Sequence, residues 1–133
     1  MTQPVFLTVG DVVAMHHRAI AVYGGDQGIR DVNLLESSVY VAQSGLAGEY
    51  FHANVFEMAA AYLFHVVKNH PFIDGNKRAG VMAAYVFLRL NEYDLVCSQE
   101  ELTYLVVGIA TGTVDKEGAG RFLDANSIPA DEM

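Results

Sequence analysis

Two apolar runs at helical spacing flank a short polar stretch, and that arrangement constrains this chain more than any other feature. The first is Val55-Phe56-Glu57-Met58-Ala59-Ala60-Ala61-Tyr62-Leu63-Phe64, the second Val81-Met82-Ala83-Ala84-Tyr85-Val86-Phe87-Leu88. Helices that are apolar on most faces are buried. Between them stand nine residues, His70-Pro71-Phe72-Ile73-Asp74-Gly75-Asn76-Lys77-Arg78. They bring together a histidine, a carboxylate, a glycine turn, an amide and two cations. Pro71 disfavours helical geometry at His70, so the upstream helix is expected to end near Asn69. Gly75 opens the downstream helix, which is expected to run to about Asn91. The polar cluster therefore occupies a tight loop between two buried helices, where a small helical domain would place a phosphate-handling site.

The remaining chain keeps the helical period. Thr8 stands three residues before Asp11, a capping pattern, and Val12, Val13, Met15, His16, Ala19, Ile20 and Tyr23 follow before Gly24-Gly25 stops the helix. Asp31 is placed to cap a helix reaching about Gln43, and Ser44-Gly45 with Gly48 marks another loop. Asn54 and Glu57 form a capping-box pattern for the upstream buried helix. Asp94-Leu95-Val96-Cys97 reads as short and extended, and could pair with Val5-Phe6-Leu7. Ser98 with Glu101 caps a helix to about Ala110, and a last helix covers about 115–124, beyond the break at Thr111-Gly112-Thr113. There are no repeats and no linker. The expectation is one all-α domain over residues 1–133, of about six helices, with room for one minimal strand pair.

A chain of 133 residues, 52% hydrophobic, is expected to bury roughly 65–70% of its unfolded surface in a single core. No apolar run reaches the ~18 residues of a membrane helix. Met1-Thr2-Gln3-Pro4 lacks the basic region and apolar core of a secretory signal. The single cysteine, Cys97, has no internal partner and reads as a small apolar filler. A cytosolic setting is expected. With a net charge of -8 and only eight Lys and Arg, the chain lacks the basic face of a nucleic-acid binder. Lys68, Lys77 and Arg78 nevertheless lie at or beside the motif. A local cationic spot on an acidic protein suits a nucleotide phosphate, and also a basic partner peptide.

Read as chemistry, 75–78 opens a helix whose first N–H groups point outwards, a ready anion site. Lys77 and Arg78 stand against the helix dipole there, an unfavourable placement that a bound anion would reverse. Asp74 is a candidate for the helix N-cap and for the holder of a divalent metal that bridges phosphates, and the two roles are compatible. His70 at the loop's mouth is placed to take a proton from an attacking hydroxyl. Asn76 either orients phosphate or satisfies the loop's own carbonyls. His16, His17, His52 and His65 read as structural. No His-Glu-x-x-His, Gly-x-Gly-x-x-Gly, Walker A or nucleophile-elbow pattern competes.

Residues 70–78 resemble the signature of the Fic/Doc superfamily, His-x-Phe-x-(Asp/Glu/Asn)-(Gly/Ala)-Asn-(Gly/Lys)-Arg, at every defined position. Tyr23-Gly24-Gly25, Gly28-Ile29-Arg30-Asp31 and Leu34-Leu35-Glu36-Ser37 are similar to the N-terminal helices of its Doc, or death-on-curing, toxin branch. Fic enzymes that transfer AMP carry a second glycine where this chain has Lys77, and a further arginine where it has Val81. In the Doc branch the lysine accompanies a reversed nucleotide and transfer of the γ-phosphate. The resemblance thus implies a toxin kinase that uses ATP and Mg²⁺, acts on elongation factor Tu and halts translation. It makes His70 the base, Asp74 the magnesium ligand, and Gly75, Asn76, Lys77 and Arg78 the phosphate grip.

The resemblance also implies an antitoxin, whose disordered tail folds into a helix along a groove near the site. A competing pattern for control is Thr113-Val114-Asp115-Lys116-Glu117-Gly118, which matches a loose Fic inhibitory pattern, (Ser/Thr)-x-x-x-Glu-(Gly/Asn). In that scheme Glu117 pairs with Arg78; the ordinary reading is a helix start. Two further functions stand beside the kinase: AMP or other nucleotidyl transfer, opposed by Lys77 and Val81, and a non-catalytic binding module, opposed by the intact His70, Asp74 and Arg78.

Overall fold

Side-chain caps set where every α-helix of this fold but α4 (Asn76–Leu90) begins. The computed structural model describes residues 3–132; Met1, Thr2 and Met133 lie outside it, and with them the first two residues read against a secretory signal. Thr8 and Asp11 form a reciprocal box that opens α1 (Val9–Tyr23). Asp31 caps α2 (Val32–Tyr40), whose last turn tightens into a 3₁₀ turn over Val41–Gln43. Asn54 caps α3 (Val55–Asn69) by accepting the Glu57 N–H at 3.0 Å. The Glu57 carboxylate takes the Asn54 side-chain amide instead of its backbone N–H, so only half of the expected box forms. Then follow α4 (Asn76–Leu90), α5 (Gln99–Thr111), with a complete Ser98–Glu101 box, and α6 (Lys116–Ala125), capped by Asp115. Among the described residues the strands form only two short antiparallel pairs, so the all-α expectation holds. No helix of the described residues is long and apolar enough to cross a membrane.

Helix α3 is the spine of the core. Its Ala59, Ala60, Ala61, Tyr62, Leu63, Val66 and Val67 are all buried. α4 lies against it where Gly80 lets the backbones close: a Cβ there would sit 3.2 Å from the Leu63 carbonyl oxygen. α6 packs on the opening turns of α3, where Gly120 faces Glu57 and Ala60. Together α3 and α4 form the rigid pair whose connection carries the motif.

One expected pairing is wrong. Tyr93–Leu95 (β3) pairs with Ser127–Pro129 (β4), in the register Tyr93↔Pro129, Asp94↔Ile128 and Leu95↔Ser127, and not with residues 5–7. The N-terminal stretch is satisfied by side chains instead. The Asn91 amide takes both the N–H and the C=O of Val5, and the Tyr62 hydroxyl accepts the Leu7 N–H at 3.0 Å. Residues 45–50 form a small hairpin, β1 (Gly45–Leu46) with β2 (Glu49–Tyr50), turned by Ala47 and Gly48, both at positive φ.

His65, on α3, accepts a hydrogen bond from the Lys116 ammonium at 3.3 Å, so its ring is neutral. Burial, then Lys116, then His52 push its pKa down to about 4. Unfolded, it takes a proton near pH 6.5. Between these values the unfolded chain binds more protons, so this residue's contribution weakens stability as pH falls from 6.5 towards 4. Urea midpoints across that window should drop less steeply in His65→Gln than in the wild type; identical slopes would contradict the assignment.

Candidate active site

The loop 70–75 must turn the chain between two packed helices, and its backbone shows how. His70 ends α3 in the left-handed region, at φ 50 and ψ 56. Pro71 does keep it out of right-handed helical geometry, but the residue turns left-handed instead of extending. For a non-glycine residue this is an uncommon, strained conformation of the kind found at functional sites. Arg30 supports it: Nε donates to the His70 carbonyl at 2.6 Å and a terminal nitrogen to the Asn69 carbonyl at 2.7 Å. A cation on the last carbonyls of a helix is favourable for its dipole.

The segment 26–31 is zipped along the loop. The N–H groups of Arg30 and Asp31 both reach the Pro71 carbonyl, at 2.7 and 3.1 Å, and the Ile73 N–H reaches Gly28 at 3.1 Å. Phe72 is the anchor, at 1% exposure. Asn76, itself buried, accepts the Phe72 N–H at 2.9 Å and donates to the Phe72 carbonyl at 3.0 Å. Of its two readings, satisfying the loop is therefore what its side chain does. Its amide nitrogen is also 3.5 Å from His70 Nδ1, too long a contact to set the tautomer of that ring.

Asp74 is exposed and is not the helix cap. Gly75 takes that position at φ 74, with no side-chain capping bond. The two Asp74 carboxylate oxygens instead accept the Gly75 N–H at 2.9 Å and the Asp26 N–H at 3.2 Å. The first α4 backbone bond runs from Ala79 N–H to the Gly75 carbonyl. The N–H groups of Asn76, Lys77 and Arg78 precede it and have no intrahelical acceptor, which leaves the helix terminus open to an anion. Lys77 is exposed, and the Arg78 guanidinium lies 3.9 Å above the centre of the Tyr23 ring, a cation–π contact.

Among the described residues no group of three His, Cys, Asp or Glu is placed to enclose a metal ion. Magnesium keeps several waters and commonly uses one or two carboxylates with substrate phosphates, so a lone Asp74 beside an uncapped helix start fits its requirements. A hollow of about 420 Å³ adjoins the site, lined by Tyr23, Lys77, Arg78, Val81, Met82, Leu102 and Val106. A larger one, about 740 Å³, lies between α5 and α6 and contains none of the motif.

Glu117 does not reach this region. It lines a hollow with His52 and Glu57, at the opposite end of α3 from His70. The thirteen residues from Glu57 to His70 span ~20 Å of helix. With Asp115 capping α6 through the Gly118 N–H at 2.7 Å, 113–118 is a helix start.

Three contributors were missed in the sequence. Arg30 and Tyr23 carried no sign of their contacts beyond their place in the resembling segments. His16, read as structural, lies directly under the loop, stacked on Phe72.

A sequence profile of the Fic/DOC family matches residues 6–88, from before α1 through most of α4, which includes both loops. This chain belongs to the Fic/Doc family. It is 36% identical over 104 residues to the protein named protein kinase doc of Escherichia phage P1, covering 78% of this chain and 81% of that one. It is also 36% identical over 73 residues to toxin Doc of Mycolicibacterium smegmatis, covering 55% of this chain and 56% of that relative.

Removing the Asn76 clamp should destabilise the fold itself. Asn76→Ala leaves the buried Phe72 N–H without a partner, at ~1–3 kcal/mol. Lys77→Ala, at an exposed position of the same turn, should leave the urea midpoint nearly unchanged. Equal midpoints for the two variants would refute the clamp.

Proposed function

We propose that this protein is the toxin of a toxin–antitoxin pair and a kinase that transfers the γ-phosphate of ATP to a hydroxyl of a translation factor. The observation that carries the reading is the open start of α4, flanked by Lys77 and Arg78, with His70 and Asp74 in the same short turn. Similarity to a relative named as a protein kinase and another named as a toxin supports it. Elongation factor Tu is the substrate expected from the family, and the cytoplasm the setting.

In this reading the nucleotide phosphates rest on the N–H groups of residues 76–78, in the field of Lys77 and Arg78. Gly75 supplies the left-handed turn, at φ 74, from which the helix starts. His70 takes the proton from the substrate hydroxyl as its oxygen bonds to the γ-phosphorus. The bond from that phosphorus to the bridging oxygen breaks, and ADP leaves. Asp74 would hold the magnesium ion, whose charge offsets that of the phosphates. Asn76 contributes its backbone N–H to the grip and its side chain to the shape of the loop. The apolar hollow beside Arg78, with Val81, Met82, Leu102 and Val106, is suited to a helix formed by an antitoxin tail on binding. AMP transfer is the weaker reading, because Val81 places an apolar side chain beside Arg78 where a second guanidinium would be needed.

ATP labelled at the γ- or the α-phosphate, incubated with the protein and cell extract, should label a protein from the γ position only. His70→Ala should reduce that labelling by roughly 10²–10⁴ while the protein remains folded. Label from the α position would overturn the kinase reading, and undiminished transfer by His70→Ala would remove His70 as the base.

Lys77→Gly tests the nucleotide's orientation. It should weaken γ-phosphate transfer without gain of AMP transfer, since Val81 remains. Wild-type γ transfer by this variant would contradict the role given to Lys77.

A further inference from the structure

We propose that His16 is a positioning residue for the Asp74 carboxylate; this rests on the reading above, in which Asp74 serves a magnesium–nucleotide complex. His16 lies on α1, 58 positions from Asp74 in sequence, and is 3% exposed. Its Nε2 is 2.7 Å from the Asp74 carbonyl oxygen. A carbonyl only accepts, so Nε2 carries the proton. The imidazole lies flat on Phe72, with centroids 3.8 Å apart and planes 2° from parallel. Nε2 would also be 3.6 Å from a Cβ at Gly75, so the ring packs against the glycine as well. One side chain of a distant helix therefore touches three residues of the turn.

The contact reaches the carboxylate through a single peptide group. The carbonyl of the Asp74–Gly75 peptide is held by His16, and the N–H of that same peptide is held by the Asp74 side chain at 2.9 Å. A rotation of this peptide breaks both bonds together. Among the described residues the only other bond to the exposed carboxylate is the Asp26 N–H, at 3.2 Å. His16 thus fixes the peptide plane, and the peptide plane fixes the direction of the carboxylate. Gly75, at φ 74, resists such rotation less than any other residue would, which is why an outside support matters here.

Two variants isolate the hydrogen bond. His16→Gln and His16→Met both lose the ring and have similar length, but only glutamine carries a donor at the ε position. In the metal-free protein, Gly75 amide exchange should be roughly tenfold faster in His16→Met than in His16→Gln, the weight of one hydrogen bond. Amides in the middle of α4 should not differ between the two. The magnesium concentration for half-maximal γ-phosphate transfer should rise in His16→Met and return towards wild type in His16→Gln. Equal Gly75 exchange in the two variants would overturn the proposal, as would activity losses that follow the melting temperatures at unchanged magnesium dependence. In the wild type, imidazole ¹⁵N spectra should show a protonated Nε2, and an unprotonated Nε2 would overturn it without any variant. Absence of γ-phosphate transfer by the wild type would defeat the kinase reading alone, and the exchange and ¹⁵N measurements would still decide the role of His16.

Discussion

The grip of Asn76 on the backbone of Phe72 is the interaction on which the rest of this site depends. A side chain in the first turn of α4 reaches back four residues and takes both polar groups of one peptide-linked residue. This closes the turn between α3 and α4 to a single shape. Phe72 is then locked into the core, and Ile73 and Asp74, which follow it, are left at the surface. The close packing of α3 on α4 at Gly80 makes both ends of the turn rigid, so the turn has little freedom of its own. The strain at His70 persists because Arg30, Asn76 and the strand-like contacts of 26–31 over-determine the loop.

Charge is arranged around the two helix ends with opposite logic. At the end of α3, Arg30 sits on the last carbonyls and lowers the energy of the dipole. At the start of α4, Lys77 and Arg78 oppose the dipole, and no side chain caps the open N–H groups. The first arrangement stabilises the fold. The second leaves a deficit of negative charge that an anionic ligand would supply, in a protein whose net charge is otherwise -8. The stacking of Arg78 on Tyr23 restrains that guanidinium while leaving its edge open.

Local chemistry made much of this visible in the sequence. Thr8, Asp31, Asn54, Ser98 and Asp115 mark helix starts because a short oxygen before an apolar period has one strong use there. The motif was legible as a cluster because its residues are contiguous. The partner of β3 was not, since Ser127–Pro129 is too short for a period and the pairing spans some thirty residues. Asp74 and Asn76 were ambiguous because capping, metal binding and loop closure draw on the same side chains, and only the bond geometry separates them. His16 and Arg30 were invisible for a different reason. Each acts on a segment far away in sequence, and nothing in the neighbourhood of either residue announces a tertiary hydrogen bond.

The central claim is that phosphate is received at the open start of α4. Backbone amide NMR during titration with magnesium and ATP tests it most directly. The account predicts that the amides of Asn76, Lys77 and Arg78 shift first and furthest, and that Lys77→Ala weakens the binding. Shifts confined to the hollow between α5 and α6, with the amides of 76–78 unmoved at saturation, would contradict it.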